Sequence, residues 1–172
     1  MYLVGCASVE GQVEADFHRA WRRAFFGWVS ARLRGERDRL LVFDEVRKAR
    51  WAHNRLCLGV KVVEVSTIVG SVGRHRDFDR GFMPVKESLK SKWKRVDRAF
   101  HRGEELPPVR LYKLGSCYFV EDGHHRISVA RYQGVEMIDA EVIEFFPRLP
   151  ASSRIPTQSP ETVYRLSWPR TF

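Results

Sequence analysis

The chain has 172 residues, of which 44% are hydrophobic and 12% aromatic. That length suits one domain with an appended arm, and that composition excludes a chain that is disordered throughout. A count of 30 Lys and Arg against 21 Asp and Glu gives a net charge of +9, which attracts polyanions such as nucleic acid, nucleotides or anionic lipid.

The three cysteines, Cys6, Cys57 and Cys117, are scattered without a CxxC pair, which argues against a disulfide framework and a structural zinc site. The first residues lack the basic region of a signal peptide. No apolar run approaches the roughly 18 residues of a membrane span. We therefore expect a reduced, cytoplasmic protein that holds no metal of its own, with no zinc, no haem and no membrane span.

The N-terminal segment predicts an amphipathic helix from about Glu10 to Leu33 that ends at Gly35. Its apolar residues recur at spacings of three and four: Val13, Phe17, Trp21, Phe25, Trp28, Val29 and Leu33. The opposite side is basic, so this stripe fits a membrane-surface face, but packing in the core or in self-association fits better. The stretch LLVFDEVRKARW predicts a second, shorter helix with Asp44 as its cap.

From Val60 the sequence becomes rich in β-branched residues, and VKVVEVSTIVGSV predicts a strand interrupted near Ser66. A glycine-bounded loop follows, and then a helix from about Lys86 to Arg102. The next predicted elements are a hairpin turning at Gly115-Ser116, a short helix in HHRISVARYQG and a strand in VEMIDAEVIEFF.

This order predicts a mixed α/β (α+β) fold, a mixed sheet with packed helices preceded by the amphipathic helix. We divide the chain into an N-terminal helical extension (1–59), the α/β domain (60–146) and a proline-rich arm (147–172). The segment from Pro147 to the last residue contains five prolines, which argue for an extended arm there.

The stretch VEDGHHRIS joins a predicted strand to a predicted helix. Gly123 lets backbone approach a ligand, and the first turn of the helix offers unpaired amides to a phosphate. His124, His125 and Arg126 add side-chain donors, with Arg126 suited to a fork contact. Asp122 would cap the helix, orient a histidine or help to hold a divalent ion. A capped, solvated turn explains the spacing about as well.

The segment from about Val62 to Phe145 resembles the ParB N-terminal/sulfiredoxin-like superfamily. The resemblance lies in VVEVSTIVGSVGRHRDFD, in GEELPPVRLYKLGSCYFVEDGHHRISVARYQG and in VEMIDAEVIEF, in that order. It implies a nucleoside triphosphate, CTP or ATP, or another phosphate ester, bound at the DGHHR turn. The residues it implies are Gly123, His124, His125 and Arg126, faced by Arg74 and Arg76 of the first loop.

Two departures narrow what the resemblance implies. His124 stands where sulfiredoxin needs a cysteine, which argues against sulfinic-acid reduction. The proline-rich arm stands where ParB partition proteins carry a helix-turn-helix domain, which argues against partition through sequence-specific DNA contact. The resemblance is thus to a DGHHR-type member of the superfamily that lacks the helix-turn-helix domain.

The resemblance leaves the chemistry open between binding alone, hydrolysis and phosphoryl transfer, with Mg²⁺ arriving on a nucleoside triphosphate. Candidate catalytic residues are Asp122, Glu121 and His125, and Asp77 and Asp79 are further carboxylates that nothing distinguishes as a base.

A second hypothesis is a DNA-associated regulatory module, akin to partition proteins, that grips DNA backbone without catalysis. It would use Lys90, Lys92, Lys94 and Arg95 of KSKWKRVDRAFHR, which a solvated helix face explains as well. A third is a fold that serves only as a protein-interaction platform. A homodimer is compatible with each hypothesis.

Overall fold

The structure is a computed structural model that describes residues 8–36 and 38–147. The proline-rich arm predicted for 147–172 therefore lies, beyond its first residue, outside the described residues. Cys6 lies outside them as well.

The first helix, α1, spans Val9–Arg34. The Ser8 hydroxyl accepts a hydrogen bond from the Gly11 amide (3.3 Å) and so caps its first turn. Gly35 closes it in the left-handed conformation, with φ of 70°. The predicted helix and its glycine stop are confirmed.

Three more helices and six strands follow. The helices are α2 (Phe43–Ala49), α3 (Lys90–His101) and α4 (His124–Gln133). The strands are β1 (Leu41–Val42), β2 (Ala52–Glu64), β3 (Ile68–Ser71), β4 (Val109–Leu114), β5 (Cys117–Asp122) and β6 (Met137–Pro147). Single 3₁₀ turns at Val65–Thr67 and Glu87–Leu89 separate β2 from β3 and precede α3.

The six strands form one mixed sheet in the order β1-β3-β5-β4-β6-β2. The β4–β5 hairpin and the β6–β2 pair are antiparallel, and the other neighbours are parallel. The predicted mixed α/β fold with its N-terminal amphipathic helix is confirmed, as is the hairpin. The predicted break near Ser66 is the 3₁₀ turn between β2 and β3.

Two local expectations are corrected. The strand expected from Val60 begins at Ala52, because its whole length pairs with β6, so the expected boundary between residues 59 and 60 falls inside β2. The residues before that boundary contribute β1 and most of β2 to the shared sheet. Asp44 lies in the first turn of α2 and not at its cap, which is Val42 without a side-chain bond.

The core lies on both faces of the sheet. One face packs against α4 and the segment before α3 through Ile68, Phe78, Leu111, Val120 and Ile127. The other packs against α2 through Phe43, Leu114 and Phe119. A third cluster holds α1 to α3 and α4, with Phe17, Trp93 and Val129 at its centre.

The apolar stripe of α1 divides into a buried and an exposed half. Val13 and Phe17 are buried, and the core prediction holds for them. Packing in the core does not hold for Trp21, Phe25 and Trp28, which are 44%, 57% and 56% exposed, because α3 and α4 cover mainly the first part of the helix. For these three side chains, packing in self-association stays a prediction. Across the described ranges, every helix is too short or too polar to span a bilayer.

Candidate functional site

The turn between β5 and α4 requires a glycine. Gly123 is the N-cap of α4 and has a φ of 94°, which residues with a Cβ rarely adopt. A Cβ at this position would lie 2.6 Å from Cγ1 of the buried Val109. The chain therefore turns tightly against β4 and delivers the start of α4 directly beside the sheet.

The first turn of α4 has unpaired backbone donors. Its first helical hydrogen bond runs from the Ile127 amide to the Gly123 carbonyl (3.0 Å), and no side chain caps the helix. The amides of His124, His125 and Arg126 thus have no backbone acceptor among the described residues. Such amides carry the positive end of the helix dipole and suit an anion.

His124 is a buried, neutral part of the turn. Its Nε2 lies 2.8 Å from the Ser71 hydroxyl, which already accepts bonds from the amides of Gly73 and Arg74 (3.3 and 2.8 Å). The Ser71 hydrogen is therefore left to donate to Nε2, which places the ring proton of His124 on Nδ1. Burial and then the charge of Arg74 lower the pKa of His124 to about 4.

His125 lies in a positive field. Burial first, and then the charges of Arg74 and Lys92, lower its pKa to about 4, with Arg95 adding to the effect. Its Nε2 is 3.5 Å from the Arg74 guanidinium, and its Nδ1 is buried without a hydrogen bond. Lys92 and Arg95 are exposed on α3. The surroundings of the turn therefore repel a proton and attract an anion.

The loop after β3 holds Arg74 in place. Its Nε donates to Asp77 Oδ2 (2.8 Å), and Lys86 donates to Oδ1 of the same carboxylate (2.6 Å). Burial opposes ionisation of Asp77, but these two cations outweigh it and lower its pKa. Phe78 packs against both histidine rings, with centroid distances of 6.1 and 5.6 Å.

Arg126 is committed to protein partners. Its Nη1 donates to the carbonyls of Pro107 and Pro108, the latter at 3.0 Å, and its Nη2 donates to Asp122 Oδ2 (2.8 Å). Its guanidinium thus fastens the segment before β4 to the turn. It is not presented as a fork for a ligand in this arrangement.

The structure does not bring Arg76 to the turn. Arg76 is exposed and lines a cleft of about 380 Å³ between α1 and the loop after β3. Trp21, Phe25 and Trp28 form the α1 side of that cleft. Arg74 and Arg76, which belong to the same loop, therefore face different surroundings.

The candidate carboxylates are dispersed. Asp122 is two-thirds exposed and bonded to Arg126. Glu121 pairs with Arg110 (3.2 Å) and is hydrogen-bonded to Tyr112, away from the histidines. Burial raises the pKa of Asp79 to about 6, and its Oδ1 accepts from the Met83 amide (2.7 Å).

The basic face predicted on α3 is partly used inside the molecule. Lys90 and Lys94 both form ion pairs with Glu14 of α1, the second at 2.6 Å. Lys92 and Arg95 have no ion pair with the described residues. Half of the predicted backbone-binding set therefore holds α1 in place.

Ser71 is a site residue that the sequence analysis missed. It is fully buried at the end of β3 and links His124 to the two loop amides. The sequence signal is a small polar residue at the end of the strand IVGS, which is too common to single it out.

No protein-family model and no curated protein sequence matches the chain. Among solved structures, the crystal structure of sulfiredoxin from Arabidopsis thaliana is similar. It is 16% identical, the match covers 48% of this chain and 82% of that one, and the TM-score is 0.37. At that TM-score the likeness carries no argument about function, so the superfamily resemblance remains a prediction from the motifs.

Proposed function

We propose that the chain binds the phosphate groups of a nucleotide, or of another phosphate ester, at the first turn of α4. The observation that carries the proposal is the set of unpaired amides of His124, His125 and Arg126, in a field made positive by Arg74, Lys92 and Arg95. Amide donors and fixed cations together are the usual means of holding a phosphate.

The ligand set differs from the one that the motif predicts. Arg74 replaces Arg126 as the principal side-chain cation, since its guanidinium already lies 3.5 Å from His125 Nε2. Arg126 acts through its bonds to Pro107 and Pro108, which position the turn. Arg76 lies outside the proposed set because it lines the α1 cleft.

A bound phosphate would reverse the electrostatics of the two histidines. Both are neutral near pH 7, since burial and Arg74 hold their pKa values at about 4. An anion at the turn offsets those cations and raises both pKa values, so binding takes up protons in the acidic range. This linkage favours binding as the pH falls from 6.5 toward 4, and it opposes the loss of charge that the phosphate group undergoes when it takes up its own second proton at about pH 6.

The proposal assigns no magnesium site to the turn itself, because its carboxylates are engaged by cations of the protein. Asp122 is paired with Arg126, and Asp77 is paired with Arg74 and Lys86. A Mg²⁺ ion would accompany the nucleotide as a phosphate counter-ion. Binding is accordingly the function proposed, and hydrolysis or transfer stays a prediction without an assigned base.

A thermal-shift panel of CTP, ATP, GTP and inorganic phosphate, with Mg²⁺, tests the proposal. We expect at least one nucleotide to raise the melting temperature and Arg74→Ala to abolish the rise. Arg76→Ala is the matched control, because it removes the same charge from the same loop outside the proposed ligand set, and it should keep the rise.

Equal responses of the two variants would overturn the assignment of Arg74, and no response to any of the probes would overturn the function.

The DNA hypothesis makes a different prediction, a salt-sensitive retardation of duplex DNA that is insensitive to Arg74→Ala and lost in the double variant Lys92→Ala, Arg95→Ala. The melting temperature of each free variant reports whether it folds.

A further inference from the structure

A second polar cluster lies where α1, α3 and α4 meet, at the opposite end of α4. It contains Asp16 of α1 together with Asp97 and His101, which are one turn apart on α3. Each residue offers one ligand atom, and these atoms lie within 4.8 Å of one another. Asp16 is 2% exposed and Asp97 is fully buried.

Each carboxylate has one oxygen held by an outer donor. Asp16 Oδ1 accepts from the Tyr132 hydroxyl (2.8 Å) and from Arg19 Nη1 (3.2 Å). Asp97 Oδ1 accepts from Gln133 Nε2 (2.8 Å). These donors fix the orientation of both carboxylates and leave the second oxygen of each directed to the interior of the cluster.

The inner oxygens converge on His101. Its Nε2 lies 3.0 Å from Asp16 Oδ2 and 3.6 Å from Asp97 Oδ2. Gln12 Nε2 also reaches both oxygens of Asp16, at 3.1 Å each. Asp97 Oδ2 is buried and has no hydrogen bond. A fully buried carboxylate oxygen without a donor is costly, and a cation between it and its neighbours removes that cost.

We propose that Asp16 Oδ2, Asp97 Oδ2 and His101 Nε2 bind a divalent first-row cation, of which Zn²⁺ is the representative. Two carboxylates and one imidazole are a ligand set that Zn²⁺ accepts, with water completing the coordination. Tyr132 and Gln133 then donate to the outer oxygens of the two carboxylates and orient them toward the cation, as such donors do in known metal sites. The cation joins α1 to α3, and α4 supports both.

The geometry supports a structural role for the cation. The ligands come from two helices that are otherwise joined by the apolar contact of Phe17 with Trp93 and by surface ion pairs. Because a metal that binds only the folded chain stabilises it by mass action, its loss would loosen the docking of α1 first.

The experiment uses the full chain after chelator treatment and dialysis. Excess Zn²⁺ should raise its melting temperature by about 5 °C. Co²⁺ should give the visible absorption bands of a protein-bound ion. Asp97→Asn should weaken binding at least tenfold in calorimetric titration, because the substitution keeps the shape of the side chain but removes its charge.

Asp139→Asn is the control, since Asp139 is an exposed aspartate on β6 that contributes no ligand atom to the cluster. It should bind Zn²⁺ as the wild type does. If the cluster is only a buried hydrogen-bond network that binds no metal, Co²⁺ gives no visible absorption bands and Zn²⁺ gives no thermal shift. Either result overturns the proposal. So does equal affinity of Asp97→Asn and wild type, which would assign binding to surface histidines.

Discussion

The two ends of α4 place opposite demands on their surroundings. At the first turn, three backbone amides have no acceptor within residues 8–36 and 38–147, and the nearby side chains are cationic. At the last turn, Tyr132 and Gln133 donate to two buried carboxylates, so acceptors are in excess. A helix dipole favours an anion at the former end and a cation at the latter.

A single helix of ten residues, α4, therefore organises both proposed ligand sites. Each end is closed by a left-handed glycine, Gly123 with φ of 94° and Gly134 with φ of 75°. The surroundings of these glycines differ, because a Cβ would meet Val109 at Gly123 and nothing within 4 Å at Gly134. The largest expected effect on the free energy of unfolding therefore comes from alanine substitutions at these two glycines.

Gly123→Ala should reduce the free energy of unfolding by about 3 kcal/mol, from left-handed strain together with the clash against Val109. Gly134→Ala carries the strain alone and should cost about 1 kcal/mol. Urea denaturation measures both. Similar losses in the two variants would show that the first turn of α4 is not held against β4.

The next largest difference in the free energy of unfolding is expected between variants that remove the Ser71 and Tyr132 hydroxyl groups, one near each end of α4. Ser71→Ala removes the partner of His124 and of two amides and should cost about 2 kcal/mol. Tyr132→Phe removes one of several donors to Asp16 and should cost about 1 kcal/mol. The same denaturation experiment compares them, and a greater loss in Tyr132→Phe would contradict the ranking.

The smallest expected effect is on the pH dependence of stability, to which His125 and Asp97 contribute in opposite senses. His125 has a folded pKa of about 4 against its ordinary 6.5, so between these values only the unfolded chain takes up the proton. Stability is therefore lost as the pH falls through this range. A fully buried ring would contribute about 3 kcal/mol, and solvent screening reduces this to about 1 kcal/mol.

His125→Asn should reduce the slope of that part of the stability profile, and His124, whose pKa is also about 4, should keep the remainder. Asp97 behaves in the reverse sense, because burial raises its pKa and the folded chain keeps a proton that the unfolded chain has released. Its contribution is lost as the pH rises above the ordinary value of 3.8 through the raised one. Asp97→Asn should remove this loss in metal-free protein, and equal profiles of wild type and both variants would contradict the comparison.

Local patterns were enough to predict most elements of the fold. The bounds of α1 follow from its apolar spacing and the Gly35 stop, and the β4–β5 hairpin follows from its turn residues. The pattern also predicts which face of α1 is apolar. It does not state how much of that face another element covers, so the exposure of Trp21, Phe25 and Trp28 could not be predicted.

The part of the proposed site that is local in sequence can be read from the motif, and the part that depends on tertiary contacts cannot. Gly123 and the two histidines after it are contiguous, so the motif located them. The partner of Arg126 is a pair of carbonyls before β4, and no sequence pattern indicates it. Asp16 and Asp97 come from separate helices, and only the spacing of Asp97 and His101 on α3 hints at their meeting.

The position of β2 at the edge of the sheet has a consequence for synthesis of the chain on the ribosome. In the part of the chain that the structure describes, its neighbour is β6 alone, which follows it by about 70 residues. At ordinary rates of translation that gap lasts about 4 to 14 seconds. During this interval Leu58 and Val63 lack their native neighbouring strand, so β2 can reach its native pairing only after β6 has been synthesised.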